Sequence, residues 1–415
     1  METSSIIQED RSIKMAQESL KRTGEWISLF GGRLAGSKGC RSTAEKLRRE
    51  FEQIGANAQS ERFVAHPAAF GDFLQINALL YLIGVVLLLF NQPLPAALVS
   101  TFNFLAASLQ FGFYLEIYDW LYPRVDCQNV SAMLEPRGQA TRQLIISAHH
   151  DAAREFRFLR GNQKLYGLKI LIPDVFCMLS CLVAWINWGS QVFTYRLPGF
   201  THLSNFVLII GVYFVFTKFF LFTDNVSPGA GDNLIASTML VELAKCFRDP
   251  LKSGHSFLQQ TRLIFISFDA EEAGLRGSRA WVREHKEELQ SLPTLALNID
   301  NIYNLKDLGF LVSDLNDHIT LDRSLVDRCL LIARELGYPS RTCNMPFGGG
   351  GTDAAELARV GVRATTMLAM PTDLVREGMV YHTMQDTVDK IEVEAVRACL
   401  KIAEKLALEV DAEPM

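Results

Sequence analysis

The sequence predicts an α/β protein, a mostly parallel, mixed sheet flanked by helices, with two apolar helical hairpins inserted into it. Three observations predict this. Short apolar segments alternate with amphipathic helical segments. Several of those segments run straight into histidine or carboxylate residues. Four long apolar stretches, grouped in two pairs, interrupt an otherwise polar chain.

The elements follow in order. The first residues, METSSIIQEDRSIKMAQESLKRTGEW, carry acids and no apolar core, so they do not read as a signal peptide. Residues 41–54 form an amphipathic helix. The first apolar pair covers 73–91 and 95–121 around the turn NQPLP. Strands follow at 129–135 and 143–149. The second pair covers 168–188 and 203–222, around a turn that carries Arg196. Beyond it, strands are expected at 262–268, 294–300, 309–312 and 363–368, and helices at 233–247, 275–290, 319–336, 352–360 and 392–408. The chain thus divides into soluble-type segments 1–72, 123–166 and 223–415 and apolar hairpins 73–122 and 167–222.

Composition supports the hairpins. Hydrophobic residues make up 49% and charged residues 21% of 415, and the mean hydropathy is +0.12. That is apolar for a soluble enzyme, and each stretch approaches the ~20 residues a membrane helix needs. Arg62, Arg124, Arg154, Arg157, Arg160, Lys164, Lys169 and Lys218 lie at the ends away from the turns. Basic residues stay on the cytoplasmic side. The expectation is an integral, multi-pass membrane protein whose hairpin tips face out and whose remaining domain is cytoplasmic. Glu116, Lys169, Asp174 and Lys218 lie in or beside the apolar runs, where charges are costly; anchoring or contacts between copies is their expected role ahead of a substrate path. A net charge of −5 excludes nucleic acid as an expected partner. The eight cysteines show no framework spacing and read as free thiols in a reducing compartment.

The chemistry sits where the strands stop. QLIISAH runs into His149-His150-Asp151, RLIFISF into Asp269-Ala270-Glu271-Glu272, and TLALNID ends at Asp300. Asp232-Asn233 follows a Pro-Gly-Ala-Gly turn, and Tyr381-His382-Thr383 comes late. In parallel sheets ligands gather at the carboxyl ends of strands. Histidines and carboxylates without cysteine suit zinc, with cobalt or manganese as substitutes. The candidate ligands are His149, Asp232, Glu272, Asp300 and His382. Two metals would need about five or six ligands with one bridging carboxylate. Within the Glu-Glu pair one residue can ligate while its neighbour handles protons. Asp151 could orient His149 through its second ring nitrogen, and Asp386 could do the same for His382 if that segment is helical. His66, His202, His255, His285 and His318 read as structural.

At these residues the sequence resembles the zinc aminopeptidase family of the bacterial leucyl aminopeptidase type, which also holds glutamate carboxypeptidases, glutaminyl cyclases and the transferrin receptor ectodomain. The likeness runs through FGGRLAGSKGCRSTAEKL (30–47), ISAHHDAA, PGAGDNLIAST, FDAEEAGLRGSRAW, NID and YHTMQDTVDKI. It implies the zinc exopeptidase fold. It implies two zinc ions, one on His149 and Asp300, the other on Glu272 and His382, bridged by Asp232. It also implies Glu271 as general base and Asp151 as the residue orienting His149. The implied partners are a peptide substrate and, through the hairpins, the lipid bilayer.

One segment departs from the family. Where some members have a tyrosine followed by Ser-Asp-His, this chain reads FGGGGTDAAEL, with Thr352-Asp353 kept, glycine in place of the tyrosine and Ala354 in place of the histidine. The oxyanion donor is then expected from zinc, from the loop (Gly349, Gly350, Gly351, Thr352, Asp353; backbone N–H of Gly348 to Gly351), or from a side chain elsewhere. The leading expectation is a membrane-anchored exopeptidase, aminopeptidase first. Its rivals are a single-zinc glutaminyl cyclase and a catalytically inactive membrane scaffold or receptor.

Overall fold

The computed structural model describes residues 2–161, 163–193, 198–249, 254, 256–346, 348–372 and 378–414; Arg196 and His255 lie outside them. The strands are β1 (Asn57–Ala65), β2 (Val125–Leu134), β3 (Arg142–His149), β4 (Arg154–Phe156), β5 (Phe222–Val226), β6 (Thr261–Phe268), β7 (Thr294–Ile302), β8 (Leu308–Asp314), β9 (Ile319–Thr320), β10 (Arg341–Asn344) and β11 (Arg363–Ala369). The helices are α1 (Glu2–Phe30), α2 (Lys38–Ile54), α3 (Pro67–Leu89), α4 (Pro93–Ala107), α5 (Tyr166–Val192), α6 (Pro198–Phe216), α7 (Ile235–Arg248), α8 (Arg276–Glu284), α9 (Lys286–Ser291), α10 (Arg323–Glu335), α11 (Asp353–Arg359) and α12 (Val393–Ala412).

One sheet runs in the order β1-β2-β6-β3-β7-β11-β8-β10, with β9 beside β8. Its centre is parallel: β3 pairs with β6 and β7, and β7 with β11. β1 and β2 form an antiparallel margin on one side, and β8 runs antiparallel to β11 on the other. The central strands are apolar throughout because both faces are covered. Leu144, Ile146 and Phe265 point into a core shared with α1, α2, α7, α10 and α12. Ile145, Ile264 and Phe268 point the other way, toward Trp281, Leu289 and Leu357 of α8, α9 and α11. The mixed, mostly parallel sheet is therefore as the sequence predicts.

Three features differ from the sequence reading. α1 packs through Met15, Ala16 and Trp26 into the main core, although its sequence suggests no such burial. β1, an edge strand with a largely exposed alternating pattern, carries no apolar run to announce it. The second apolar stretch is helical over less of its length than expected: α4 ends at Ala107, a π-helical turn extends it over Ser108–Gly112, and Tyr114 takes φ +55°. Two arginines of α8 explain the break. Arg276 bonds Asp119 at 2.7 and 2.8 Å, and Arg276 and Arg279 lie 2.7 and 3.0 Å from Glu116. Glu116 is thus tied to the sheet domain.

Each hairpin has two helices long and apolar enough to cross a membrane. Proline at the first positions of α3, α4 and α6 suits helix starts, where no N–H partner is needed. Small residues line the contacts between helices: a Cβ on Gly84 would come within 2.6 Å of Ser100, and one on Gly211 within 2.2 Å of Tyr81. Large apolar residues face outward, Phe90 at 76%, Tyr213 at 73% and Phe206 at 61% exposure. Both hairpins leave and re-enter on the same margin. His66 Nδ1 lies 2.7 Å from the Tyr122 carbonyl across the first, and the β4–β5 ribbon closes the second. Each insertion therefore contributes an even number of helices, as it must if residues on both sides of it belong to one sheet domain.

Candidate metal centre

The parallel strands β3, β6 and β7 deliver their carboxyl ends to one place. β3 ends on His149, and Asp300 lies near the end of β7. After β6 the chain turns tightly at Ala270 (φ +58°) to present Glu271 and Glu272. Asp232 comes from the turn before α7, and His382 from a turn after β11.

Buried contacts hold each segment. The Asp151 carboxylate lies 3.2 Å from His149 Nδ1 and accepts the N–H groups of Glu271 and Glu272 at 3.2 and 3.1 Å. One carboxylate thus holds the Glu-Glu turn and stands beside the histidine ring. The fully buried Arg33 donates to the carbonyls of His150, Pro228 and Gly229 at 2.8–3.0 Å, tying the β3 end to the Asp232 turn. Gly231 has no room for a side chain, since a Cβ there would sit 2.2 Å from the Tyr303 ring. Asp386 accepts the N–H groups of Gly231 and Asp232 at 2.8 and 3.3 Å. Its expected contact with His382 is not made, because that segment is a series of turns and the carboxylate is engaged by the Asp232 turn. His382 is instead held from the base of the second hairpin: its carbonyl accepts the Phe156 N–H at 2.9 Å, and its ring packs between Phe156 and Tyr381.

The five candidate ligands converge. Asp232 Oδ1 lies 3.3 Å from His149 Nε2, and Asp232 Oδ2 lies 3.0 Å from His382 Nε2. His149 Nε2 is 3.5 Å from Asp300, and His382 Nε2 is 3.0 Å from Glu272. Asp232 thus stands between two histidine–carboxylate pairs, one oxygen toward each. Glu271 reaches within 3.8 Å of His149 Nε2.

The electrostatics are those of a cluster short of positive charge. Burial lifts Glu271 well above the usual carboxylate range, pushes Glu272 up to about 7 and raises Asp300. Burial alone would lower the histidines, yet the Glu271 charge holds His149 well above its ordinary value, and Glu272 and Asp232 raise His382 to about 10. Against the effect of burial, the two histidines hold Asp232 below the usual range. Among the described residues, neither His149 Nε2 nor Asp232 Oδ2 has a partner in hydrogen-bond geometry. Buried charge without compensation is costly. An all nitrogen-and-oxygen donor set with orphaned ligand atoms fits divalent metal, and zinc by ligand type.

Several of the donors expected from the glycine loop are engaged elsewhere. The N–H groups of Gly348 and Gly350 donate to Asn316 Oδ1, and that of Gly349 to the Pro346 carbonyl. Thr352 gives both its N–H and its hydroxyl to Asp314, at 2.9 and 2.6 Å. These donors are engaged by Asn316, Pro346 and Asp314; the Gly351 N–H is not among them, and Gly351 lines the cavity. Asp353 is buried at the start of α11, where burial lifts its carboxyl well above the usual range. The loop does make space: a Cβ on Gly350 would meet the Tyr114 hydroxyl at 3.1 Å. Tyr114, from beyond α4, lines the same cavity as Asp232, Glu271, Asp300 and His382, and so do Gly349 and Gly351. Sequence reading misses Tyr114 because it lies inside an apparent apolar stretch, and Arg33 because its partners are all backbone carbonyls. The second had a visible signal, an arginine inside RLAGSKG.

Residues 215–407 match the model of peptidase family M28; the match begins after α5 and leaves His149 and Asp151 upstream of it. Among curated proteins, a probable glutamate carboxypeptidase of Arthroderma benhamiae is 42% identical over 72 residues, 17% of this chain and 10% of that protein. A probable glutamate carboxypeptidase of Arabidopsis thaliana is 28% identical over 174 residues, 38% and 23% respectively. The chain thus matches less than a quarter of the length of either relative. Among solved structures, the LapA aminopeptidase of Legionella pneumophila aligns with a TM-score of 0.54 at 16% identity, over 100% of this chain and 76% of that one. A Zn-dependent exopeptidase of Parabacteroides distasonis gives 0.56 at 11% (94% and 97%). A glutaminyl cyclase of Bacteroides thetaiotaomicron, bound to N-acetylhistamine, gives 0.57 at 11% (96% and 98%). The shared property at these identities is the fold.

Proposed function

Since residues 215–407 match the model of peptidase family M28, we propose that the chain is a membrane-anchored, di-zinc metallo-exopeptidase, with aminopeptidase the leading specificity. The observation that carries this reading is Asp232 with one oxygen toward each of two histidine–carboxylate pairs. His149 and Asp300 would hold one metal, Glu272 and His382 the other, and Asp232 both. When bound, such a pair supplies polarisation of the scissile carbonyl and acidification of a water.

The chain's own residues do the rest. Glu271 faces the cavity beside His149 and accepts the proton of the attacking water as its oxygen bonds the acyl carbon. The same carboxyl then gives that proton to the amine as the C–N bond breaks. Asp151 keeps His149 and the Glu-Glu turn in register. The Tyr114 hydroxyl, at the place the glycine loop leaves open, is the side-chain donor for the developing oxyanion.

In a Glu271→Gln variant the side chain keeps its size and loses its base. Its metal content, measured by mass spectrometry of the purified protein, should stay at two per chain while turnover falls at least about 10³-fold. Undiminished turnover in that variant would remove Glu271 from the mechanism. The fold shared with glutaminyl cyclases supports one alternative, cyclisation of an N-terminal glutamine. A metal content of one per chain, with pyroglutamyl product from a glutaminyl peptide, would favour it.

A further inference from the structure

The cavity at the metal residues does not stop there. It has a volume of about 760 Å³ and continues between the hairpin helices. Ordinary small-ligand pockets span roughly 300–1,000 Å³, so this space is far more than one side chain fills. Three helices each present a single stripe to it. α3 contributes Phe70, Phe73, Leu74 and Asn77; α4 and its final turn contribute Phe104, Ala107, Ser108 and Phe111; α5 contributes Tyr166, Ile170, Asp174 and Cys177. Each stripe has the three-to-four-residue spacing of one helix face. Along α3 the lining runs from Pro67 to Asn77, ten residues, or about 15 Å of helix. The cavity is therefore a shaft that enters the hairpin bundle from the catalytic end.

The shaft wall is mostly apolar, with Ser108, Tyr166 and Lys169 also in its lining, and it is polar at its end. There Lys218 Nζ bonds Asn77 Oδ1 at 2.8 Å and also bonds Asp174, and Asn77 donates to Asn103 at 2.8 Å. These polar groups satisfy one another. Lys218 and Asp174 thus form part of the cavity wall.

The wall chemistry decides between two occupants. An extended peptide filling about 15 Å would bring roughly four residues, each with an N–H and a C=O to satisfy. A wall made mostly of phenylalanine, leucine, isoleucine and alanine leaves most of them unpaired, and such groups are costly to bury that way. A hydrocarbon chain brings no polar atoms and gains from every methylene removed from water. We propose that the shaft holds the acyl chain of an N-long-chain-acyl amino acid, whose amide lies at the metal residues. This rests on the amide-hydrolase reading above and changes its recognition element from a free amine to an alkyl chain. Water adds its oxygen to the acyl carbon, the C–N bond breaks, and the amine leaves with the proton carried by Glu271. The products are a fatty acid and a free amino acid.

The test uses the full-length, zinc-loaded protein in phosphatidylcholine nanodiscs. Leucine release is followed from N-acetyl-, N-octanoyl- and N-dodecanoyl-leucine, with leucyl-leucine amide and an apolar pentapeptide amide alongside. Each buried methylene is worth up to roughly fourfold, so kcat/KM should rise at least about 100-fold from acetyl to dodecanoyl. Partition into the disc raises the long-chain rate as well, and Ala107→Trp separates the two effects, because it fills the shaft without altering partition. The dodecanoyl-to-acetyl ratio should fall at least about tenfold in that variant. If Ala107→Trp does not fold, Ala107→Leu and the wild-type series decide. A flat chain-length series, a ratio indifferent to Ala107, or preference for the pentapeptide overturns the acyl-chain proposal, while cleavage of any peptide leaves the hydrolase reading standing. Zinc-loaded protein that cleaves none of these substrates removes both.

Discussion

Asp151 illustrates how one buried residue serves several segments at once. Its carboxylate faces His149 Nδ1 and accepts two N–H groups from the Glu271–Glu272 turn. Partners of this kind typically alter metal affinity 10- to 100-fold when lost. Asp151→Ala should therefore weaken zinc binding by about that factor, measured by competition with a chromophoric chelator, and unchanged affinity would reduce Asp151 to a packing role. Tyr114 makes the complementary case. If its hydroxyl is the oxyanion donor, Tyr114→Phe should lower kcat about 10²- to 10³-fold with little change in KM or metal content. An unaltered kcat would leave the carbonyl to the metals alone.

At the scale of elements, the sheet margin shows how polar residues fasten a helix to a strand. His285, between α8 and α9, lies 2.8 Å from Glu61 of β1 and 3.0 Å from Glu288, and its ring stacks on Trp281. The bond to Glu61, opposed by partial burial and helped by Glu288, raises its pKa to about 9. A group raised in the folded state stabilises fully below its unfolded pKa of about 6.5. That stabilisation disappears as pH climbs through about 9. The melting temperature of His285→Gln should thus fall below that of the wild type by more at pH 6 than at pH 9.5. Equal differences at both pH values would show that the ion pairs do not matter to stability. Its structural role follows the sequence reading of this histidine, although its partner Glu61 lies on a strand that reading did not find.

For the whole molecule, the metal centre and the hairpins are built on the same margin. The β4–β5 ribbon at the base of the second hairpin holds His382 through Phe156, and Arg154 of that ribbon bonds Asp72 of α3. Asp232, Glu271, Glu272, Asp300 and Asp353 are buried or nearly so around two histidines, so bound cations should stabilise the whole sheet domain. Metal at 100 times its dissociation constant adds about 2.7 kcal/mol. Chelation should lower the melting temperature as well as abolish turnover, and added zinc should restore both. A melting curve indifferent to chelator would mean that the carboxylates are balanced without metal.

By itself the sequence determined which side chains stand where the parallel strands end, because an apolar run and the residue that closes it are contiguous. RLIFISF followed by Asp-Ala-Glu-Glu is legible without any other part of the chain. The paired apolar stretches were legible for the same reason, since length and composition are local. What only the tertiary structure decided depends on residues distant in sequence. Tyr114 meets Gly350, Arg33 binds the carbonyls of His150, Pro228 and Gly229, and Asp386 serves the Asp232 turn in preference to its near neighbour His382. The continuation of the cavity at the candidate metal residues into the hairpins belongs here too. It arises where one face each of α3, α4 and α5 meets the same space, and no single stretch of sequence contains more than one of those faces.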